Sequence, residues 1–117
     1  MKKMNKYERL TADLKTALEV TQYIETNESI PDTGTCNFDD AGIFLNRWHE
    51  EKVNEAARLA GSYAVKREDL SKAFHKTYFT FGFPSHNQGN RRSARAEAIC
   101  KILEELGYEV YLYQATD

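Results

Sequence analysis

Few residues in this sequence break or cross-link a chain. It contains two prolines, six glycines and two cysteines, Cys36 and Cys100, which form no CxxC pair. We therefore expect two free thiols rather than a disulfide or a zinc site of the CxxC type. No apolar run approaches the ~18 to 20 residues that cross a bilayer, and no apolar stretch follows the first lysines. We expect a cytoplasmic protein with neither a membrane segment nor a signal peptide.

The sequence also lacks a large excess of either charge. Sixteen Lys and Arg residues against eighteen Asp and Glu residues give a net charge of -2 at pH 7. A protein whose whole surface binds DNA or an anionic membrane is normally basic, so the balance argues against that class. The chain has 117 residues, of which 41% are hydrophobic, and this composition is typical of a folded domain. We expect a single domain over residues 1–117.

Hydrophobic periodicity divides the chain into helices and strands. Apolar spacings of three, four and seven predict an N-terminal helix within residues 1–27. A second helix to about residue 60, with Asn46 as its N-cap, and a third from about 91 to 106 are also expected. Strands are predicted at 36–38 or 42–45, and then at 62–66, 76–83 and 108–114, with a short helical turn near residue 69.

After the first helix, the order is strand, helix, strand, strand, helix, strand. This order is typical of the ferredoxin-like βαββαβ arrangement, an α+β fold with helices on one face of a four-stranded antiparallel sheet. We expect this core over residues 33–117. Alternation would place Tyr78, Tyr111 and Tyr113 on the opposite face, where their rings could stack on bases. The pattern favours an alternative in which the N-terminal helix covers that face.

Three arginines at the start of the third helix indicate an anion site. Arg91, Arg92 and Arg95 lie three or four residues apart, at the helix end that already carries partial positive charge. Such a cluster is favourable when an anion completes it, and guanidinium groups suit phosphate oxygens. The preceding loop supplies further hydrogen-bonding side chains, and a second loop supplies candidates for the other wall of the pocket. The predicted ligand-binding residues are therefore His86, Gln88, Asn90, Arg91, Arg92 and Arg95, with Asn37 and Asp39 opposite.

The arginines could instead pair inside the fold or lie solvated on the surface. Between Glu25 and Asp40 there are five acidic residues and no basic one. This acidic segment could neutralise the arginines without any ligand. The loop before the third helix has neither a GxxxxGK[ST] nor a GxGxxG pattern, so no cofactor is predicted. The spacing of Cys36 and the histidines requires neither a catalytic site nor a metal site.

Three stretches of the chain carry a resemblance. They are Gly34-Thr-Cys-Asn-Phe-Asp39, then Arg47-Trp48 before a helix, and Gly89-Asn-Arg-Arg92 through Ala96-Glu97 to Gly107-Tyr108. Together they resemble a group of small proteins carried by phages and mobile elements of gut bacteria. The resemblance covers roughly residues 33–117. It implies an accessory protein in a host bacterial cell that counters a defence system, either by sequestering a nucleotide signal or by blocking a host defence protein.

The arginine cluster and this resemblance lead to one hypothesis and two alternatives. We expect a non-enzymatic protein that binds a phosphate-bearing ligand such as a nucleotide signal. One alternative is an inhibitor of a host defence protein, such as an anti-CRISPR, whose acidic segment mimics nucleic acid. The other is a small nucleic-acid-binding protein, whose affinity would fall steeply with salt. Exposed strand edges also suggest a homodimer with a pocket between its subunits.

Overall fold

Helices and strands alternate along the chain. In the computed structural model, which describes residues 3–31, 39–85 and 89–115, α1 spans Lys6–Thr21 and a 3₁₀ helix continues it over Gln22–Thr26. The other helices are α2 (Glu50–Leu59), α3 (Glu68–Phe74) and α4 (Asn90–Glu105). The strands are β1 (Ala41–Phe44), β2 (Tyr63–Lys66) and β3 (Tyr78–Gly82). The four predicted helical segments are confirmed, with bounds that differ by a few residues.

The first helix begins at a capping box. The Asn5 side chain accepts hydrogen bonds from the Tyr7 and Glu8 amides, and the Glu8 carboxylate accepts one from the Asn5 amide. These bonds satisfy amides that the first turn of a helix leaves without partners. The apolar stripe behind this cap is buried, with Leu10 and Ala17 fully inaccessible.

Strand β3 lies at the centre of the sheet and pairs antiparallel with both β1 and β2. Residues 108–113 run beside β1 and meet it at two isolated bridges, Asp40 with Tyr113 and Ile43 with Val110. The Phe44 amide also donates to the Glu109 carbonyl, and the Tyr111 amide donates to the Gly42 carbonyl. The Tyr111 carbonyl accepts a hydrogen bond from the Tyr78 hydroxyl. The α+β class is confirmed. The four-stranded ferredoxin-like sheet is not, since the described residues form three strands.

The two faces of the sheet carry different helices. Phe79, Phe81 and Phe83 point into the main core, which buried residues of α1, α2 and α4 complete. On the other side, Phe74 of α3 packs against the rings of Phe44 and Tyr78. We call this second side the open face. The two core helices expected on one face, α2 and α4, both contribute to the main core, and α3 lies on the other side. The expectation that the N-terminal helix covers the tyrosines is wrong, because α1 packs with α2 and α4.

Over the described ranges, no helix combines the length and apolarity that crossing a bilayer requires.

Candidate functional site

The arginine cluster predicted from the sequence lies on the first turns of α4 and points into the protein. Gly89 precedes the helix with a φ of 76°, a conformation that glycine adopts without strain. Arg92 and Arg95 are only 8% and 5% exposed, whereas Arg91 is half-buried and Asn90 is exposed. Charged side chains are rarely buried to this degree unless they are paired.

Arg92 is paired with the acidic residue that immediately precedes β1. Its Nη2 donates to Asp40 Oδ1 over 2.7 Å, and its Nε donates to the Asp39 carbonyl over 3.3 Å. Burial raises the pKa of Asp40, and the neighbouring Arg92 guanidinium opposes that rise. The Asp39 side chain is also turned inward and accepts a hydrogen bond from the Ala115 amide. The Arg92–Asp40 pair therefore connects α4 to the start of β1, and the Asp39 side chain connects the same stretch to Ala115.

Arg95 is paired with the end of the first helical segment. Its Nη1 lies 3.1 Å from Glu25 Oε1, its Nε donates to Thr21 Oγ1, and its Nη2 donates to the Leu18 carbonyl. Burial lowers the pKa of Arg95, and the Glu25 carboxylate opposes that change. Because all three contacts are made to α1 or to the 3₁₀ helix, Arg95 holds this first helical segment against α4.

Arg91 adds two contacts to the same acidic segment. Its Nε donates to the Ile30 carbonyl over 2.9 Å and its Nη1 to the Glu25 carbonyl over 3.2 Å. The Phe83 ring contacts the other two arginines: its centroid lies 5.0 Å from the guanidinium carbon of Arg92 and 4.6 Å from that of Arg95. The structure therefore contains the internal pairing that the sequence left open. The phosphate-binding role of Arg91, Arg92, Arg95, Asn90 and Asp39 stays a prediction, and His86, Gln88 and Asn37 lie outside the described residues.

A different concave surface lies on the open face of the sheet. It is a groove of about 600 Å³ between the junction of β2 with α3 and the segment after α4. We call it the open-face groove. Its walls comprise residues 65–70 on one side and residues 111–114 on the other.

Arg67 is the central charged residue of the open-face groove. Its Nε donates to Thr80 Oγ1 over 2.9 Å, and its guanidinium carbon lies 4.2 Å from the centroid of the Tyr113 ring. Its amide donates to the Tyr78 carbonyl, which continues the β2–β3 ladder. Within the described ranges, no carboxylate lies at ion-pair distance from Arg67. The guanidinium is thus held in place by a hydroxyl and a ring, and its Nη atoms have no described hydrogen-bond partner.

Two tyrosines form the aromatic wall of the groove. Tyr113 stacks on Arg67, and Tyr111 has half of its surface exposed. The Tyr111 ring also packs against the rings of Phe74 and Tyr78, with centroid distances of 5.0 and 6.0 Å. These two rings hold it in position. Burial raises the pKa of Tyr78, which therefore stays protonated and donates to the Tyr111 carbonyl at neutral pH.

The sequence pattern identified part of this surface. The expectation that Tyr78, Tyr111 and Tyr113 share the face opposite the main helices is confirmed. Arg67 was missed because it falls between a strand and a short helix. The alternation of β2 carries the missing signal, since Tyr63, Val65 and Arg67 follow one another at strand spacing.

Neither metal ligands nor relatives identify the site further. Within residues 3–31, 39–85 and 89–115, no group of three His, Cys, Asp or Glu side chains is placed to hold a metal ion. Comparison of the chain with protein-family models, with curated proteins and with solved structures finds no match. The functional argument therefore depends on the geometry of the groove.

Proposed function

We propose that the protein binds a small phosphate-bearing ligand in the open-face groove without catalysing a reaction on it. The observation that carries this proposal is Arg67, whose guanidinium lies against Tyr113 in the open-face groove and has no ion-pair partner among the described residues. Arginine forms bidentate hydrogen bonds with phosphate oxygens and stacks on aromatic rings. The bond from Nε to Thr80 fixes the guanidinium and leaves its Nη atoms for an anion.

The aromatic wall supports a ligand that also carries a planar ring. Tyr111 has an exposed ring whose position is set by Phe74 and Tyr78. Stacking of a base on an aromatic side chain contributes about 1 to 3 kcal/mol. A volume of about 600 Å³ lies within the range of small-molecule sites, roughly 300 to 1,000 Å³. A nucleotide combines both groups, and a nucleotide signal is the ligand that the phage or mobile-element setting implies.

The acidic segment supports the alternative inhibitor function less well. Glu25 and Asp40 pair with arginines of α4, and Asp39 is buried. Three of its five acidic residues are thus committed to contacts inside the fold, where they cannot mimic nucleic acid for a partner. The arginines of α4 are likewise engaged, so we assign the phosphate to Arg67 rather than to them.

Thermal unfolding with a ligand panel tests the proposal. The panel contains nucleosides, linear and cyclic nucleotides, nucleotide sugars and inorganic phosphate. A ligand present at about 100 times its Kd stabilises the folded state by about 2.7 kcal/mol, a shift of several degrees for a domain of this size. We expect a selective shift with at least one nucleotide, and the same ligand should give no shift with Arg67→Gln.

The matched control is Arg58→Gln, which changes an exposed arginine on α2 far from the groove lining. It should retain the full ligand-induced shift. A panel without any shift would overturn the proposal, as would a shift that Arg67→Gln leaves intact. An affinity that falls steeply between 50 and 200 mM salt would point to the nucleic-acid-binding alternative.

We also propose that the fold is a ferredoxin-like variant with an irregular fourth strand. The segment 108–113 lies beside β1, and the order across the layer is then that segment, β1, β3 and β2. The homodimer remains part of the proposal, with the outer edge of β2 as the candidate contact. Light scattering at several protein concentrations tests it, and a monomer mass throughout would reject it.

A further inference from the structure

The charges around the open-face groove differ from those of a site for polyphosphates. Lys66 lies 3.6 Å from the Glu68 carboxylate, so these two charges neutralise each other. Asp69 lines the same groove and is exposed. Among the described lining residues, Arg67 is thus the one cation without a carboxylate at ion-pair distance.

The two acidic residues that precede β1, Asp39 and Asp40, add no positive potential near Arg67. Asp40 is close enough for Arg67 to lower its pKa, but its carboxylate bonds directly to Arg92. Asp39, a second acidic residue, is buried beside Asp40. A ligand that brings several negative charges would therefore meet one guanidinium, together with the exposed Asp69 carboxylate.

From this balance we infer that the groove selects a phosphate group with a single negative charge, as in a cyclic nucleotide or another phosphodiester. The inference rests on the proposed function, because it specifies the ligand of the same site. One bidentate contact with Arg67 neutralises a phosphodiester, and the attached base stacks on Tyr111. The β- and γ-phosphates of a triphosphate would add negative charge that Arg67 alone cannot neutralise and that the Asp69 carboxylate repels.

A series of ligands with a constant base tests the inference. For each of the four RNA bases, the nucleoside, the 3′,5′-cyclic monophosphate and the 5′-triphosphate are titrated against the full chain, without divalent cations. We expect the cyclic monophosphate of at least one base to bind at least 10-fold more tightly than both the nucleoside and the triphosphate of that base. A triphosphate that binds as tightly as the cyclic form would overturn the inference and leave the proposed function standing. A series in which nothing binds would overturn both.

A single variant tests the origin of the discrimination. Asp69→Asn removes the lining carboxylate that is unpaired among the described residues and should raise triphosphate affinity about 10-fold relative to the cyclic form. The matched control is Glu104→Gln, at an exposed position on α4 that does not line the groove. It should leave the ratio of the two affinities unchanged. If Asp69→Asn leaves the ratio of the two affinities at its wild-type value, the assignment of selectivity to the charge of Asp69 is wrong.

Discussion

The Tyr78 hydroxyl donates a hydrogen bond to the backbone carbonyl of Tyr111, reaching it across strand β1. It can do so because Gly42 lies between the two residues and has no side chain. A Cβ atom at this position would overlap with the Tyr78 hydroxyl and with the Tyr111 carbonyl oxygen. The missing side chain of Gly42 therefore allows the hydrogen bond that connects the central strand to the aromatic wall of the groove.

Gly42→Ala should destabilise the fold because the added methyl group has no space. We expect a loss of about 3 kcal/mol in the free energy of unfolding, the upper part of the range for overpacked cores. Urea unfolding measures it. Gly61→Ala is the comparison, since its φ of 84° strains alanine but no atom lies within 4 Å of the added Cβ. If Gly42→Ala lowers the free energy of unfolding no more than Gly61→Ala does, the Tyr78 hydroxyl does not lie against Gly42.

Arg95→Ala should destabilise the contact between the first helical segment and α4. The substitution leaves the partly buried Glu25 carboxylate without its guanidinium partner, and breaking a buried pair costs about 3 kcal/mol. Arg58→Ala removes an arginine from an exposed pair with Glu55 and should leave stability nearly unchanged. Chemical denaturation of both variants checks the contrast. Equal effects would show that Arg95 contributes no more than a surface charge.

Asp40→Asn should change how stability depends on pH. Burial raises the pKa of Asp40 above its ordinary value of 3.8, so the folded state binds the proton more tightly than the unfolded state. Its contribution to stability is then complete below pH 3.8 and declines as the pH rises through the raised pKa, by about 1.4 kcal/mol per pH unit. The stability of the wild type minus that of Asp40→Asn should therefore fall with rising pH. Urea unfolding from pH 3 to 7 measures this difference, and an increase would contradict the raised pKa.

Arg91→Gln distinguishes the two candidate anion sites. Arg91 is the most exposed of the three α4 arginines, so its replacement should disturb the fold least. If the open-face groove binds the ligand, this variant retains the ligand-induced thermal shift that Arg67→Gln loses. If Arg91→Gln loses the ligand-induced shift and Arg67→Gln retains it, the anion site lies at the start of α4.

Local patterns were sufficient where local forces decide the structure. The alternation of Phe79 and Phe81 with Tyr78 and Thr80 placed the central strand and both of its faces, because side chains of a strand alternate whatever it packs against. The apolar stripe of the N-terminal helix likewise predicted which residues are buried.

The predicted N-cap at Asn46 is wrong because a distant partner uses that side chain. Asn46 accepts a hydrogen bond from the Thr77 amide over 2.7 Å, and α2 begins at Glu50 after His49. Thr77 is 31 residues away in sequence. A capping preference read from neighbouring residues has no access to such a contact.

The arginine cluster shows the same limit for the site. The sequence indicated correctly that so many positive charges at a helix start require anions. It could not decide whether those anions belong to a ligand or to the chain, since Asp40 is 52 residues from Arg92. Only the tertiary structure brings Glu25 and Asp40 to α4.

The contact between the first helix and the segment after α4 has a consequence for synthesis on the ribosome. The Tyr108 hydroxyl donates to Asp13 over 2.6 Å, and these residues are 95 positions apart. At ordinary translation rates, about 5 to 20 s pass between their emergence. During that time the nascent chain presents Leu10, Leu14 and Ala17 without the α4 surface that buries them. The first helix is therefore expected to reach its final packing only after α4 and Tyr108 have been synthesised.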